Sequence, residues 1–200
     1  MAQHYRRRVG DRTTPPLMLI VCEGAKTEPK YFEGFRIKSA RVKVVGYGGN
    51  TISVVEEAIR IRDSFGNPFK FIWCVFDRDS FPKARFNAAL SLAARNNISV
   101  AYSNEAFELW YLLHFNFYNT ATSRDSYKHQ LTQQLGRPYL KNDDNIYFDL
   151  LHLQGTAIRN AKRLIALYSP SSPYEDNPST TVFKLVEQLI VVARKQKNQR

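Results

Sequence analysis

The chain has 200 residues and a mass of 23.1 kDa, enough for one domain with a sizeable buried core. Its 44% hydrophobic and 24% charged residues exclude a disordered chain. The apolar run Leu17 to Cys22 is too short for a bilayer span or a signal-peptide core. The formal net charge of +11, from 29 Lys and Arg against 18 Asp and Glu, favours a polyanionic partner, most often nucleic acid.

The charge is unevenly placed. Residues 1–12 carry a net +3, and Arg194, Lys195, Lys197 and Arg200 add +4 at the other end, leaving +4 for the body. Basic ends are often only solvated, so the body must carry the specific argument. Arg6-Arg7-Arg8 resembles a twin-arginine signal, but the polar stretch Asp11 to Thr14 follows it. Cys22 and Cys74 sit in separate apolar runs and read as buried thiols of a reducing compartment. A cytoplasmic protein is expected.

Leu17–Cys22 predicts a strand covered on both faces, because its apolar residues are continuous rather than alternating. A helix is expected from about Glu28 to Ile37, with Pro29 tolerated in its first turn. Arg41–Val45 is a second strand, closed by Gly46, Gly48 and Gly49. Asn50 or Thr51 then caps a helix over Ser53–Asp63. Phe71–Phe76 is a third buried strand, ending at Asp77-Arg78-Asp79. A helix over Ala84–Asn96 and a strand over Ile98–Tyr102 complete the alternation. Four strand–helix repeats predict an α/β fold with a parallel sheet.

From Phe107–Phe115 (FELWYLLHF) onward the pattern is helical, with further helices over Asp125–Leu135, Ile146–Leu151, Ala157–Leu167 and Thr181–Arg194. The expected organisation is a basic tail over residues 1–14 and a single domain over 15–200. Its sheet portion covers about 15–115 and its helical layer about 116–197.

In an open α/β sheet, ligands gather at the carboxyl ends of the strands. Two buried strands here end in acid: the first at Glu23, the third at Asp77 and Asp79. In an extended conformation an Asp-x-Asp points both side chains to one side. Carboxylates crowded there repel one another unless a cation neutralises them, and Mg²⁺ prefers oxygen ligands. The bland readings are an Asx turn or helix cap at Asp77 or Asp79 and an ion pair of Glu23 with Lys26.

This combination resembles the Toprim domain, where a Glu follows the first strand and an Asp-x-Asp the third. The closer resemblance is to the RloB-like family of Toprim-related proteins, found in bacterial restriction and phage-defence loci. It is carried by Ile20–Phe32 (IVCEGAKTEPKYF), Trp73–Phe81 (WCVFDRDSF), Ala101–Phe115 (AYSNEAFELWYLLHF) and Asn177–Val182 (NPSTTV). Glu105-Ala106 departs from it, since the family usually has proline and a small residue there; the change adds a negative charge near Glu108.

The resemblance implies a Toprim-like (Rossmann-like) sheet of about four parallel strands flanked by helices, with a C-terminal helical layer. It also implies nuclease chemistry assisted by Mg²⁺ or Mn²⁺ in anti-phage defence. Glu23, Asp77 and Asp79 would hold the ion; Glu23 would otherwise act as general acid or base. Lys26 would stabilise charge on the phosphate, or be only an exposed helix-entry lysine. Glu108 interrupts an apolar run, where a carboxylate is costly unless paired or metal-bound, and is expected to serve the site from a helix face shared with Asn104. Glu28 reads first as a first-turn acid serving the helix dipole.

His114 reads as a satisfied core histidine beside Trp110, and His4, His129 and His152 form no zinc pattern. Asn177 to Thr180 reads as a loop and helix cap. Candidate nucleic-acid contacts are Arg36, Lys38, Arg78, Lys83 and Arg85; Arg41, Lys43 and the group Arg159, Lys162 and Arg163 are also basic but read by default as solvated surface. No G-x-x-x-x-G-K-[ST] loop is present, so ATP-driven sensing would need a separate ATPase partner, which the family context suggests. The alternative to a nuclease is a non-catalytic nucleic-acid-binding or assembly subunit; a homo-oligomer suits either, and a membrane partner is not expected.

Overall fold

A computed structural model describes residues 16–38, 40–44, 51–78 and 82–197. The chain runs β1 (Leu17–Cys22), α1 (Thr27–Glu33), β2 (Ala40–Val44), α2 (Thr51–Ser64), β3 (Phe69–Asp77), α3 (Lys83–Arg95) and β4 (Ser99–Asn104). It continues through α4 (Glu108–Phe115), α5 (Arg124–Leu135), α6 (Ile146–Leu151), α7 (Gln154–Ile165), β5 (Ser179–Thr180) and α8 (Val182–Lys197). The basic tail over 1–14 and the residues of the glycine cluster lie outside the described residues.

The sheet order is β2-β1-β3-β4-β5. The first four strands are parallel, as the alternation predicts, and β5 runs antiparallel to β4 at the edge. Alternation along β1 divides the interior into two layers. Met18, Ile20 and Cys22 join Trp73 and Val75 of β3 on the face covered by α1 and α4–α8. Leu19 and Val21 join Ile72, Cys74 and Phe76 on the face covered by α2 and α3. Helices on both faces make β1 and β3 apolar at nearly every position, which is why their sequences do not alternate.

The helices of the second half complete the larger layer. Leu109, Trp110, Leu113, Tyr127, Ala157, Leu164 and Leu189 share one core with the strands. Tyr31 of α1 sits among seven aromatic rings, His114 included, with centroids from 5.5 Å (Phe32) to 6.4 Å (Trp110), mostly edge-to-face. Among the described residues no helix is long and apolar enough to cross a membrane.

Two expectations need correction. The first helix ends at Glu33, not Ile37: Gly34 lies directly against the Tyr147 ring, and Arg36 takes a left-handed φ of 51°. The Asn177–Thr180 segment is more than a loop and cap. Ser179 and Thr180 pair with Asn104 and Ser103, and the Ser103 and Thr180 hydroxyls lie 3.0 Å apart. Two residues are too few for a recognisable strand pattern; the pairing depends on β4, more than 70 positions earlier.

Candidate active site

The ends of β1 and β3 are tied together by backbone. The Glu23 N–H donates to the Val75 carbonyl at 2.9 Å, placing Glu23 beside the carboxyl end of β3. Trp73 and Val75 face the larger helical layer, so the period of two turns Asp77 toward that layer as well. The N-terminus of α4 stands there, with Glu108 as its first residue, only 2% exposed. From the first turn of α1 comes Glu28, 5% exposed. Its carboxylate lies over Gly24, where any Cβ would overlap it.

These acids feel one another. Burial first, then the charges of Glu28 and Glu108, hold the Asp77 carboxyl well above the usual carboxylate range; Glu23 pushes the same way and Arg124 opposes. Glu28 is raised to about 6, chiefly by burial and next by Glu108, although a bond from its own backbone N–H, Lys141 and Arg124 lower it. Asp77 Oδ2 accepts from Arg124 Nη2 at 3.1 Å. Asp77 Oδ1 is buried with no protein partner. Tyr139 donates its hydroxyl to Glu108 Oε1 at 3.3 Å, while Tyr111 donates to the Thr27 carbonyl at 3.2 Å under the start of α1.

Of the expected site residues, Glu23, Asp77 and Glu108 converge. Asp79 lies outside the described residues. Lys26 occupies the N-cap position of α1 with an exposed side chain. Glu28 is buried among the acids, so the dipole reading understates it. Asn104 and Glu108 share no helix face: Asn104 ends β4, and its Nδ2 donates to the carbonyls of Tyr174 and Asp176 at 3.0 and 2.9 Å. His114 is a core histidine, with Nδ1 2.9 Å from the Trp110 carbonyl and burial lowering its pKa to about 4. Burial pushes the Cys74 thiol up to about 12, and Cys22 is also raised, so both are inert at neutral pH.

The basic candidates are scattered. Arg36 stacks over Phe148 with its guanidinium 4.9 Å from the ring centre, beyond the end of α1 opposite Glu28. Lys38 is exposed. Arg78 stacks over Tyr174 at 4.2 Å, next to Asp77 in sequence. Lys83 pairs with Glu175 at 2.6 Å, and both Lys83 and the exposed Arg85 stand on α3, across the sheet from Glu108. On α7, Lys162 pairs with Glu187 at 2.6 Å and Arg163 stacks over Phe117 at 3.9 Å. The side chains of Arg41 and Lys43 lie outside the described residues.

Sequence reasoning missed Arg124, Tyr139 and Lys141. One signal was available for Arg124. A cation at the first position of a helix opposes the dipole, and therefore wants an acid nearby.

The donor set consists of carboxylates and one orphaned buried oxygen, which suits a hard divalent cation such as Mg²⁺. Among the described residues no group of three His, Cys, Asp or Glu side chains is arranged to hold a metal ion. Among the described residues Asp77 and Glu23 would supply at most part of a ligand set, with Glu28 and Glu108 near Asp77.

Comparison with curated proteins and with solved structures gave no match. The model of the RloB-like protein family matches residues 18–189, from the second residue of β1 into α8, and with it both acid-bearing strand ends; the chain belongs to the RloB-like family.

Proposed function

We propose that this chain is a divalent-metal-dependent nuclease that hydrolyses phosphodiester bonds of nucleic acid, DNA or RNA including tRNA, in bacterial anti-phage defence. The observation that carries the reading is the convergence of Glu23, Glu28 and Glu108 on Asp77, whose Oδ1 is buried without a protein partner. Such a cluster is costly in an uncharged interior and is relieved by a dication.

Asp77 and Glu23 would hold Mg²⁺ or Mn²⁺, with Asp79 as the third expected ligand. The ion supplies polarisation of the phosphate and a bound water of lowered pKa. Glu28, its carboxyl raised to about 6, would serve as the proton acceptor beside the ion. Glu108, held by Tyr139, fixes the negative side of the site. Exposed Lys26 stands at the entrance to α1, where it can meet the phosphate. Arg78, adjoining Asp77, is the best placed of the basic candidates; Lys83 must first leave Glu175. The setting is cytoplasmic, and the ATPase of the same locus would gate activity.

A second reading is a non-catalytic nucleic-acid-binding or assembly subunit, and the ion pair of Arg124 with Asp77 favours it by filling the site with a protein cation. Purified protein incubated with plasmid DNA and with total tRNA, in Mg²⁺ or Mn²⁺, separates the two. The nuclease reading expects cleavage that Glu23→Ala and Asp77→Ala abolish. Cleavage persisting in both variants refutes the site. Silence in every condition, with the neighbouring ATPase added, selects the assembly subunit.

A further inference from the structure

Building on the nuclease reading, we propose that Arg124 is the resident cation of the acidic site before a divalent ion binds, and the phosphate-holding residue afterwards. Arg124 opens α5, and its guanidinium reaches across to the end of β3. The contact with Asp77 Oδ2 is 3.1 Å, longer than the ~2.7–2.9 Å usual for charge-assisted bonds. The Arg124 side chain is 29% exposed, against 14% for Asp77, so the guanidinium is the more solvent-accessible partner of the pair.

A dication held by Asp77 would compete with Arg124 for the same carboxylate. The displaced guanidinium remains at the start of α5, whose dipole is unfavourable to a cation but favourable to an anion beside it. A guanidinium fork matches two phosphate oxygens. Substrate phosphate would therefore settle between the metal-loaded acids and Arg124. The exchange would couple the two ligands: a metal would take the Asp77 carboxylate from the arginine, and the guanidinium edge so released would hold the nucleic acid.

The test uses the full chain, Arg124→Ala and, as a longer-stemmed uncharged variant, Arg124→Gln, with folding checked by circular dichroism. Titration with MnCl₂ alone is expected to show about threefold to tenfold tighter binding in both variants, because Asp77 has lost its competitor. A short fluorescein-labelled single-stranded DNA and the RNA of the same sequence, held uncleaved in CaCl₂, are expected to bind at least tenfold more weakly. The slope of log affinity against log salt should flatten by about 0.7, one phosphate contact. Folded variants with wild-type Mn²⁺ affinity or an unchanged salt slope would overturn the proposal alone. Mn²⁺ binding that is absent, or is indifferent to Asp77→Asn, would overturn the nuclease reading and this proposal with it.

Discussion

Replacing Glu28 with Gln tests whether the acids are crowded at the cost of stability. Glu28 is 5% exposed, and its pKa rises from 4.5 to about 6 on folding. A raised folded pKa means that the native state binds the proton more tightly. Its contribution is therefore fully present below pH 4.5 and is lost as pH rises through 6. Glutamine mimics the protonated acid at every pH. Linkage then makes Glu28→Gln more stable than the wild type by about 2 kcal/mol at pH 7.5, about 1 kcal/mol at pH 5.5 and much less at pH 4.5. Urea unfolding of both proteins without divalent ions, at those three pH values, reads the difference directly. The difference between the two proteins is the useful quantity, because His114 titrates in the opposite sense in each. Adding Mg²⁺ at pH 7.5 should stabilise the wild type more than the variant, by mass action on the intact site. A variant less stable than the wild type at pH 7.5, or a difference that does not shrink with acid, would refute the burial of an ionised Glu28.

Three further outcomes follow from single contacts. Gly24→Ala places a methyl group on the Glu28 carboxylate and should weaken Mn²⁺ binding about tenfold with the fold intact, measured by calorimetry; wild-type affinity would separate Glu28 from the ion. Tyr139→Phe removes the hydroxyl that bonds Glu108 and should cost about 1–2 kcal/mol in urea unfolding at pH 7.5, whereas a neutral effect would mean that the bond holds nothing. His114 has its pKa lowered from 6.5 to about 4, so the unfolded chain takes up the proton first and stability falls with acid below pH 6.5. From pH 7 to pH 5 this costs about 2 kcal/mol, a loss that His114→Phe should lack and that parallel unfolding curves would contradict.

The sheet was legible because burial on both faces leaves its mark in the strands themselves. Leu17–Cys22 is apolar throughout and proved to be β1 to the residue. The acids at the strand ends were legible for the same reason: where the apolar run stops, the chain emerges at the carboxyl edge. Glu28 was misjudged because a first-turn acid looks alike in water and in a protein interior. The helix packed on α1, and the one that brings Glu108 to Glu28, is α4, about 80 positions later, and what makes room for the carboxylate is Gly24. Asn104 was placed on the wrong element because i, i+4 spacing implies a shared face only within one helix. The strand ends at Asn104 and α4 starts at Glu108, so that spacing spans a corner.

The division of the chain into a sheet portion and a helical layer hides the site's electrical balance. β1, α1, β3 and α4, with the residue that follows β1, bring together the carboxyl groups of Glu23, Glu28, Asp77 and Glu108. The opposing positive charge comes from Arg124 and Lys141, both in the helical half. A chain ending near residue 115 would keep the acids and lose those two counter-charges, together with the Tyr139 hydroxyl that Glu108 holds. The overall +11 therefore says little about the centre of the molecule. The centre is acidic, is only partly offset by two cations from distant sequence, and gives one of them, Arg124, a carboxylate for which a divalent ion would compete.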